Sequence, residues 1–194
     1  SVSAPLAAAQ STCDTGNATA ILEGHDVVAQ VFSTGFLFYN ATGNSDTRRY
    51  NVPKDGDAQL VLGAGIWLSG TIRDTLRSSV GFFGQQEFVP GPLDDQARPV
   101  DDCARFNRVW SVTHQDLIAF ETGGVASDDI ASWPTGLGAP TLGADGEEMD
   151  LSHLPFETRR DRVVDLESGE RPYLRGAQTH WWVVNDRTET APYT

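Results

Sequence analysis

The sequence has almost no lysine and few basic residues for its length. Lys54 is the only lysine among 14 basic residues, and 27 Asp and Glu give the 194-residue chain a formal net charge of −13. An acidic surface of this kind repels phosphate groups. The composition therefore argues against nucleic-acid binding and against binding to anionic lipid surfaces.

Long apolar runs and clustered metal ligands are also missing. No apolar run approaches the ~18 residues that a membrane-spanning helix needs, so membrane insertion is not expected. The only cysteines are Cys13 and Cys103, which form no Cys-x-x-Cys pair, and the four histidines are scattered. A zinc site needs three or four clustered ligands. Phosphate-binding loops, nucleophile elbows and zinc-protease motifs are likewise absent, so the sequence predicts neither an enzyme nor a cofactor.

Paired carboxylates are the remaining candidates for catalysis. Glycosidase chemistry needs two carboxylates across a cleft, one of them desolvated. The acidic pairs here lie in polar segments, where solvated loops are the simpler interpretation and a hydrolase is the least favoured function. The pairs are Asp94-Asp95, Asp101-Asp102, Asp128-Asp129 and Glu147-Glu148.

Short β-rich segments separated by Gly, Pro and polar residues dominate the chain. They predict an all-β fold, an antiparallel β-sandwich with one short helix and long loops. Residues 1–12 are small and uncharged, which predicts a flexible N-terminal tail of the kind exposed by signal cleavage. Residues 13–194 are predicted to form a single sandwich domain.

Local signals place the helix and the longest loop. Thr113 is predicted to cap the helix, because Asp116 stands at the spacing of a capping box. Residues 123–150 are predicted to be one long loop, anchored by Trp133-Pro134. The glycines of GAGIWLSG predict a bulge or close backbone packing.

Six segments in a fixed order carry a family resemblance: STGFLFYN, YNVPKDGDAQLVLGAGIWLSG, FVPGPLDD, CARFNRVWSVTHQDL, WPTGLGAP and GERPYLRGAQTHWWVVND. Together they resemble the N-terminal region of large secreted proteins from bacteria with type IX secretion. The resemblance covers residues 17–190. It implies a secreted or surface-attached protein whose N-terminal domain has no assigned chemistry. Since the C-terminal sorting domain of that family is not in the chain, a fragment or processed product is expected.

The resemblance also implies a lost metal site. Family members usually carry an aspartate-rich calcium loop before the tryptophan pair, and Glu157, Asp161 and Asp165 occupy that region here, interrupted by three arginines. Because calcium needs six to eight oxygen ligands, no metal is expected in this degenerate loop. Arg159 or Arg160 is expected to pair with Asp161 or Asp165 instead.

An extracellular location bears on the cysteines and on modification. A Cys13–Cys103 disulfide is favoured over two separate buried thiols, because disulfides persist outside the cell. Asn17 and Asn40 begin N-x-[ST] sequences, the acceptor pattern for N-glycosylation. Thr75 lies in Asp-Thr-Leu, which resembles an O-glycosylation motif of this bacterial group, and is the preferred candidate.

Tryptophans supply the candidate contact residues. Four of the five lie in predicted strands, where burial in the core is expected. Adjacent Trp181 and Trp182 must point to opposite sides of a strand, so one of them contacts something other than the main core. Trp133, Trp181 and Trp182 are therefore the candidate contacts with a ligand or partner.

These features predict a secreted, non-enzymatic structural domain of a cell-surface layer, extracellular matrix or filament. Its expected partners are further copies of itself or other surface proteins, with residues 1–12 adding a strand to a neighbour's sheet. The alternative is a carbohydrate-binding or adhesion module whose partners are glycans.

Overall fold

The computed structural model describes residues 18–38, 50–56, 58–72, 74–82 and 85–186. This part of the chain is rich in short strands and has few, short helices. The strands are β1 (Thr19–Glu23), β2 (Val28–Phe32), β3 (Tyr50–Asn51), β4 (Trp67–Ile72), β5 (Thr75–Phe82), β6 (Gln85–Gln86), β7 (Val89–Pro90), β8 (Trp110–Thr113), β9 (Thr141–Leu142), β10 (Arg171–Pro172), β11 (Gln178–Trp181) and β12 (Val184–Asn185). The helices are α1 (His114–Gly123), α2 (Asp128–Ala131) and α3 (Phe156–Arg159), with 3₁₀ turns at Cys103–Phe106 and Thr135–Leu137.

All described strand pairs are antiparallel, and they form five small sheets. Two sheets have three strands, in the orders β1-β2-β3 and β4-β5-β6, and three have two strands, β9 with β10, β8 with β11 and β7 with β12. The prediction of a strand-rich antiparallel fold is confirmed. The predicted β-sandwich is not, because the described strands are divided among small sheets rather than gathered into two large ones.

The main core lies in the second half of the chain. It is built on β8, α2 and the segments that follow them, and Trp133 is its largest fully buried side chain. The core residues are Val100, Phe106, Trp110, Val112, Ile130, Trp133, Ala139, Phe156 and Val164. Burial of an aromatic or branched aliphatic side chain stabilises a fold by about 1.5–3 kcal/mol, so this cluster holds the β8–β11 sheet against α2 and α3.

Helix α1 forms where the capping signal places it. The Thr113 hydroxyl accepts from the Asp116 N–H, and the Asp116 carboxylate accepts from the Thr113 N–H, which completes a capping box. Gly124 ends the helix in the left-handed conformation, at a φ of 72°. The predicted helix is confirmed, but α2 and α3 were not predicted from the sequence.

The segment 123–150 is more ordered than the predicted long loop. Ser127 caps α2, and the Thr135–Leu137 turn and β9 follow it. The predicted anchor is correct: the Trp133 indole is fully buried and donates to the Pro140 carbonyl at 2.9 Å. Trp181 and Trp182 do not share a strand as predicted, because β11 ends at Trp181 and β12 begins only at Val184.

Single polar side chains connect the small sheets. The Gln178 amide oxygen accepts from the Glu23 N–H at 3.0 Å, while its nitrogen donates to the Ile21 carbonyl and to the Ser111 hydroxyl, both at 3.3 Å. Gln178 therefore joins β1 to β8 and β11. Asn107 acts similarly, since its side-chain oxygen accepts from the Ala18 N–H and the Ser33 hydroxyl.

Candidate docking surface on the β4–β5 arm

Strands β4 and β5 form a hairpin, called the arm below. Its register pairs Trp67 with Val80 at one end and Ile72 with Thr75 at the other. Asp74 turns the chain with a φ of 61°, a conformation that aspartate tolerates better than most residues. A hairpin has only marginal stability by itself, so its attachment to the body matters.

Close backbone contact fixes the base of the arm. A Cβ atom on Gly65 would lie 2.1 Å from the Gly81 carbonyl oxygen, so only glycine fits there. The Gly81 N–H donates to the Ile66 carbonyl at 2.8 Å, and Leu37 and Ala64 exchange two backbone hydrogen bonds of 2.9 Å. The prediction of close packing at the GAGIWLSG glycines is confirmed here.

An open groove of about 500 Å³ lies at this base. Trp67 forms one wall, and its side chain is 68% exposed. The lining residues, none of which has a polar side-chain group apart from the Trp67 indole N–H, are Phe36, Leu62, Gly63, Ala64, Gly65, Trp67 and Gly81. The groove therefore fits an apolar group better than a polar ligand.

The exposed apolar side chains concentrate around the arm. Five of the eight large exposed ones in the described part of the chain lie between residues 60 and 76: Leu60, Leu62, Trp67, Leu68 and Leu76. Scattered exposed leucines are ordinary on protein surfaces, but a contiguous apolar patch marks an interaction site. Trp67 lies in a predicted strand and is therefore expected in the core, and its exposure corrects that expectation. The available signal was a six-residue strand, WLSGTI, without a single charge.

The other predicted contact tryptophans occupy the interior or the junctions between sheets. Trp133 has no exposed surface, and it therefore supports the core rather than facing solvent. Trp181 is half-buried and packs against the main core. Trp182 faces another way, because its indole nitrogen lies 3.6 Å from the position of a Cβ on Gly35. The predicted contact of one of these neighbours with a ligand or partner stays a prediction.

A second, polar pocket of about 570 Å³ lies beside α3. Its lining includes Glu148, Asp150 and Arg159. The Arg159 guanidinium donates to the carbonyls of Gly136 and Leu154, and Glu148 lies 3.2 Å from the Arg175 guanidinium. Hydrogen bonds from Ser152 lower the pKa of Asp150. Because these charged groups already form hydrogen bonds or ion pairs within the chain, fewer of them are available to bind a ligand.

The acidic pairs hold local structure. The Asp94 carboxylate accepts from the Arg98 and Gln96 amides and from the Arg98 guanidinium, and these bonds, led by the Arg98 amide, lower its pKa. Asp129 accepts from the Ser111 N–H at 3.0 Å and pairs with Arg108. Carboxylates that accept hydrogen bonds from backbone amides and arginines stabilise local structure. For Asp94 and Asp129 this supports a structural role rather than a catalytic one.

The degenerate calcium-like loop is held by arginine. Asp161 accepts from Arg105 and, at 3.4 Å, from Arg160, and the Arg105 guanidinium is the main cause of its lowered pKa. The predicted pairing of an arginine with an aspartate in this loop is thus confirmed for Arg160 and Asp161. Glu157 lies 3.6 Å from Arg160. Within the described ranges, no group of three or more His, Cys, Asp or Glu could hold a metal ion.

The strongest anchor of this region was missed by sequence reasoning. Glu170 is buried, its carboxylate pairs with the Arg162 guanidinium, and it accepts from the Asp165 N–H at 2.8 Å. The Asp165 side chain accepts from the Ser168 N–H within the same turn. Nothing in the spacing of Glu170 distinguishes it from the exposed Glu167, so no sequence signal could have identified it.

His180 occupies the junction between β11 and β1. Both ring nitrogens are buried, without a hydrogen-bond partner among the residues that the structure describes. Burial lowers the pKa of His180, and the nearby Ile21 backbone and Asp129 carboxylate oppose that shift more weakly. The imidazole ring is therefore uncharged at neutral pH.

The remaining predicted sites are only partly within the described residues. Thr75 is the first residue of β5, next to the turn of the arm. Asn17, Asn40 and Cys13 lie outside the described residues. Cys103 is buried, and no cysteine in the described ranges is free. Because Cys13 lies outside those ranges, the pairing of the two stays a prediction.

Comparisons with protein-family models, with curated proteins and with solved structures give no match to this chain. The resemblance to secreted proteins of type IX systems therefore stays an inference from sequence segments alone. None of the helices in the described part of the chain is long and apolar enough to cross a membrane.

Proposed function

We propose that this chain is a secreted, non-enzymatic structural domain that assembles by protein–protein contact in a cell-surface layer, extracellular matrix or filament. The observation that carries the proposal is the arm, with its exposed Trp67, Leu68 and Leu76. Exposed apolar side chains on both faces of one uncharged strand are typical of a surface that a partner covers.

The groove supports an apolar protein partner over a small polar substrate. Its lining offers the Trp67 indole N–H as its single side-chain hydrogen-bond donor, while the polar pocket beside α3 has its charged groups paired internally. Binding of a polar substrate depends on several convergent polar groups.

A layer or filament needs more than one contact per chain. A symmetric contact through one surface closes into a dimer, and an open assembly requires a second surface. Residues 1–12 are the proposed second contact, because their lack of charge suits addition to a strand edge of a neighbour whose net charge is −13.

The oligomeric state of the purified protein tests this function. Sedimentation and electron microscopy of the full chain are expected to show ordered polymers or sheets, and deletion of residues 1–12 is expected to leave only small oligomers. A wild-type protein that stays small at every concentration contradicts the assembly function. Polymers that survive the deletion contradict the role of residues 1–12.

A carbohydrate-binding module is the second candidate, and exposed Trp67 is the observation that favours it. An exposed indole can stack on a sugar ring, but sugar recognition also needs polar side chains around it, which the groove does not offer. Titration of the tryptophan fluorescence with a panel of soluble glycans distinguishes the two functions. Saturable quenching in the wild type that is lost in Trp67→Ala favours the carbohydrate function.

A further inference from the structure

We propose that the arms of two copies of this chain pack face to face and antiparallel, with Leu76 of each copy seated in the groove beside Trp67 of the other. The inference rests on the proposed assembly function and deepens it by naming the contact. The occupant of the groove is a second copy of the same chain.

The register of the arm places both contact residues on one face. Side chains directly opposite each other in an antiparallel pair share a face, and alternate residues of a strand share it as well. Trp67 lies opposite Val80, and Thr71 lies opposite Leu76. Trp67 and Leu76 therefore belong to the same face, whereas Leu68, opposite Ser79, belongs to the other.

The shared face carries no charge. Its six residues, the three facing pairs along the arm, are Trp67, Ser69, Thr71, Leu76, Ser78 and Val80. Exposed strands usually carry charged residues that prevent unwanted association, and this face has none. In a chain with a net charge of −13, six neutral residues on one exposed face point to a surface that another protein covers.

The face is complementary to itself. At its base, the groove beside Trp67 is open and apolar, and near the turn the Leu76 side chain projects, 72% exposed. Thr71, the partner of Leu76, lies four positions after Trp67, which is about 13 Å along a strand. A two-fold axis through the middle of the face brings each Leu76 to the groove of the other copy, which is the reciprocal arrangement of a symmetric dimer.

Charge favours a contact through the arm over a contact between the acidic surfaces of the two chains. Residues 58–82 contain two arginines and one aspartate, a net of +1, which leaves −14 for the rest of the chain. Two copies that meet through their arms bring together segments that carry no net negative charge. Contact through the bodies would instead oppose two strongly acidic surfaces.

A pair of charge insertions tests the contact. Leu76→Arg places a positive charge on the proposed interface, and Leu68→Arg places the same charge on the opposite face of the same arm. Both side chains are well exposed, at 72% and 58%, so neither variant should perturb folding, and thermal unfolding checks this. Analytical ultracentrifugation from micromolar to near-millimolar concentration measures dimerisation of the full chain.

Leu76→Arg is expected to weaken dimerisation by at least about tenfold, while Leu68→Arg leaves it unchanged. Trp67→Ala is expected to act as Leu76→Arg does. Equal effects of the two arginine variants, or no effect of either, overturn the inference, and so does a wild type that is monomeric throughout.

The outcomes separate this contact from the proposed function. Polymers that are unchanged by Leu76→Arg contradict the arm contact but remain consistent with the assembly function. A wild type that dimerises through the arm but never polymerises keeps the contact and contradicts the layer or filament.

Discussion

Gly136 and Arg159 join the Thr135–Leu137 turn to the end of α3. The Arg159 guanidinium donates to the Gly136 carbonyl at 2.7 Å, and a Cβ on Gly136 would lie 1.7 Å from the Arg159 carbonyl oxygen. The Thr135–Leu137 turn can therefore approach the end of α3 only if residue 136 has no side chain.

Gly136→Ala is expected to destabilise the fold by about 3 kcal/mol, because the added methyl group meets backbone atoms that cannot rotate away. Urea unfolding measures the loss. Gly123→Ala is the matched control: Gly123 ends α1 with no atom within 4 Å of an added Cβ, and it should gain up to about 1 kcal/mol. Similar unfolding free energies for the two variants would show that the close approach does not exist.

Glu170→Gln is expected to cost about 2 kcal/mol, because it removes the charge that pairs with Arg162 while keeping the shape of the side chain. The loss of stability is smaller than for a fully buried ion pair, since the Arg162 side chain is 40% exposed. Glu167→Gln changes an exposed carboxylate in the same loop and should stay within about 0.5 kcal/mol. Equal unfolding midpoints would remove Glu170 as the anchor.

His180 predicts a loss of stability on mild acidification. Burial holds its folded-state pKa below the unfolded value of 6.5, so the unfolded chain takes up the proton first. Stability is therefore complete above that value and falls as the pH drops from 6.5 toward the lower folded-state pKa. Asp129 is the titratable group that opposes the shift.

Thermal unfolding of His180→Gln checks this at about pH 7.5 and about pH 5.5. The drop in Tm between the two conditions should be smaller in His180→Gln than in the wild type. His153→Gln, which changes an exposed histidine, should keep the wild-type drop. A full drop in His180→Gln would assign the acid sensitivity to other groups.

The predicted Cys13–Cys103 disulfide is expected to contribute about 4–5 kcal/mol by restricting the unfolded chain. Reduction should lower Tm, and the intact mass of the native protein should be about 2 Da below that of the reduced form. Cys103→Ser should show the low Tm without reductant. Two reactive thiols in denaturant without reductant would exclude the bond.

Signals that act over a few residues were readable in the sequence. Thr113 and Asp116 are three residues apart, and their capping box depends on little besides local backbone conformation. Arg160 and Asp161 are neighbours, so their pairing in the degenerate loop follows from proximity. Gly65 and Gly81 are farther apart in sequence, but they lie at the base of one hairpin, and the glycines themselves are the signal for close packing.

Contacts between residues far apart in sequence could not be predicted from the sequence. Gln178 joins β1 to β8 across a separation of 157 residues from Ile21, and no local pattern marks a glutamine for that position. Trp67 and Trp133 are both large aromatic residues, yet one is 68% exposed and the other is fully buried. Which one is covered depends on how the strands are distributed among sheets, and the predicted sandwich was the step that went unconfirmed.

The sequence by itself determined the acidic charge, the strand-rich antiparallel character, the capped helix α1 and the pairing of an arginine with an aspartate in the degenerate loop. Each of these depends on composition or on contacts within a few residues. Only the tertiary structure decided that Trp67 and Leu76 share one uncharged, exposed face. The reason is physical: strand register decides which side chains share a face, and packing of the whole chain decides whether that face is covered.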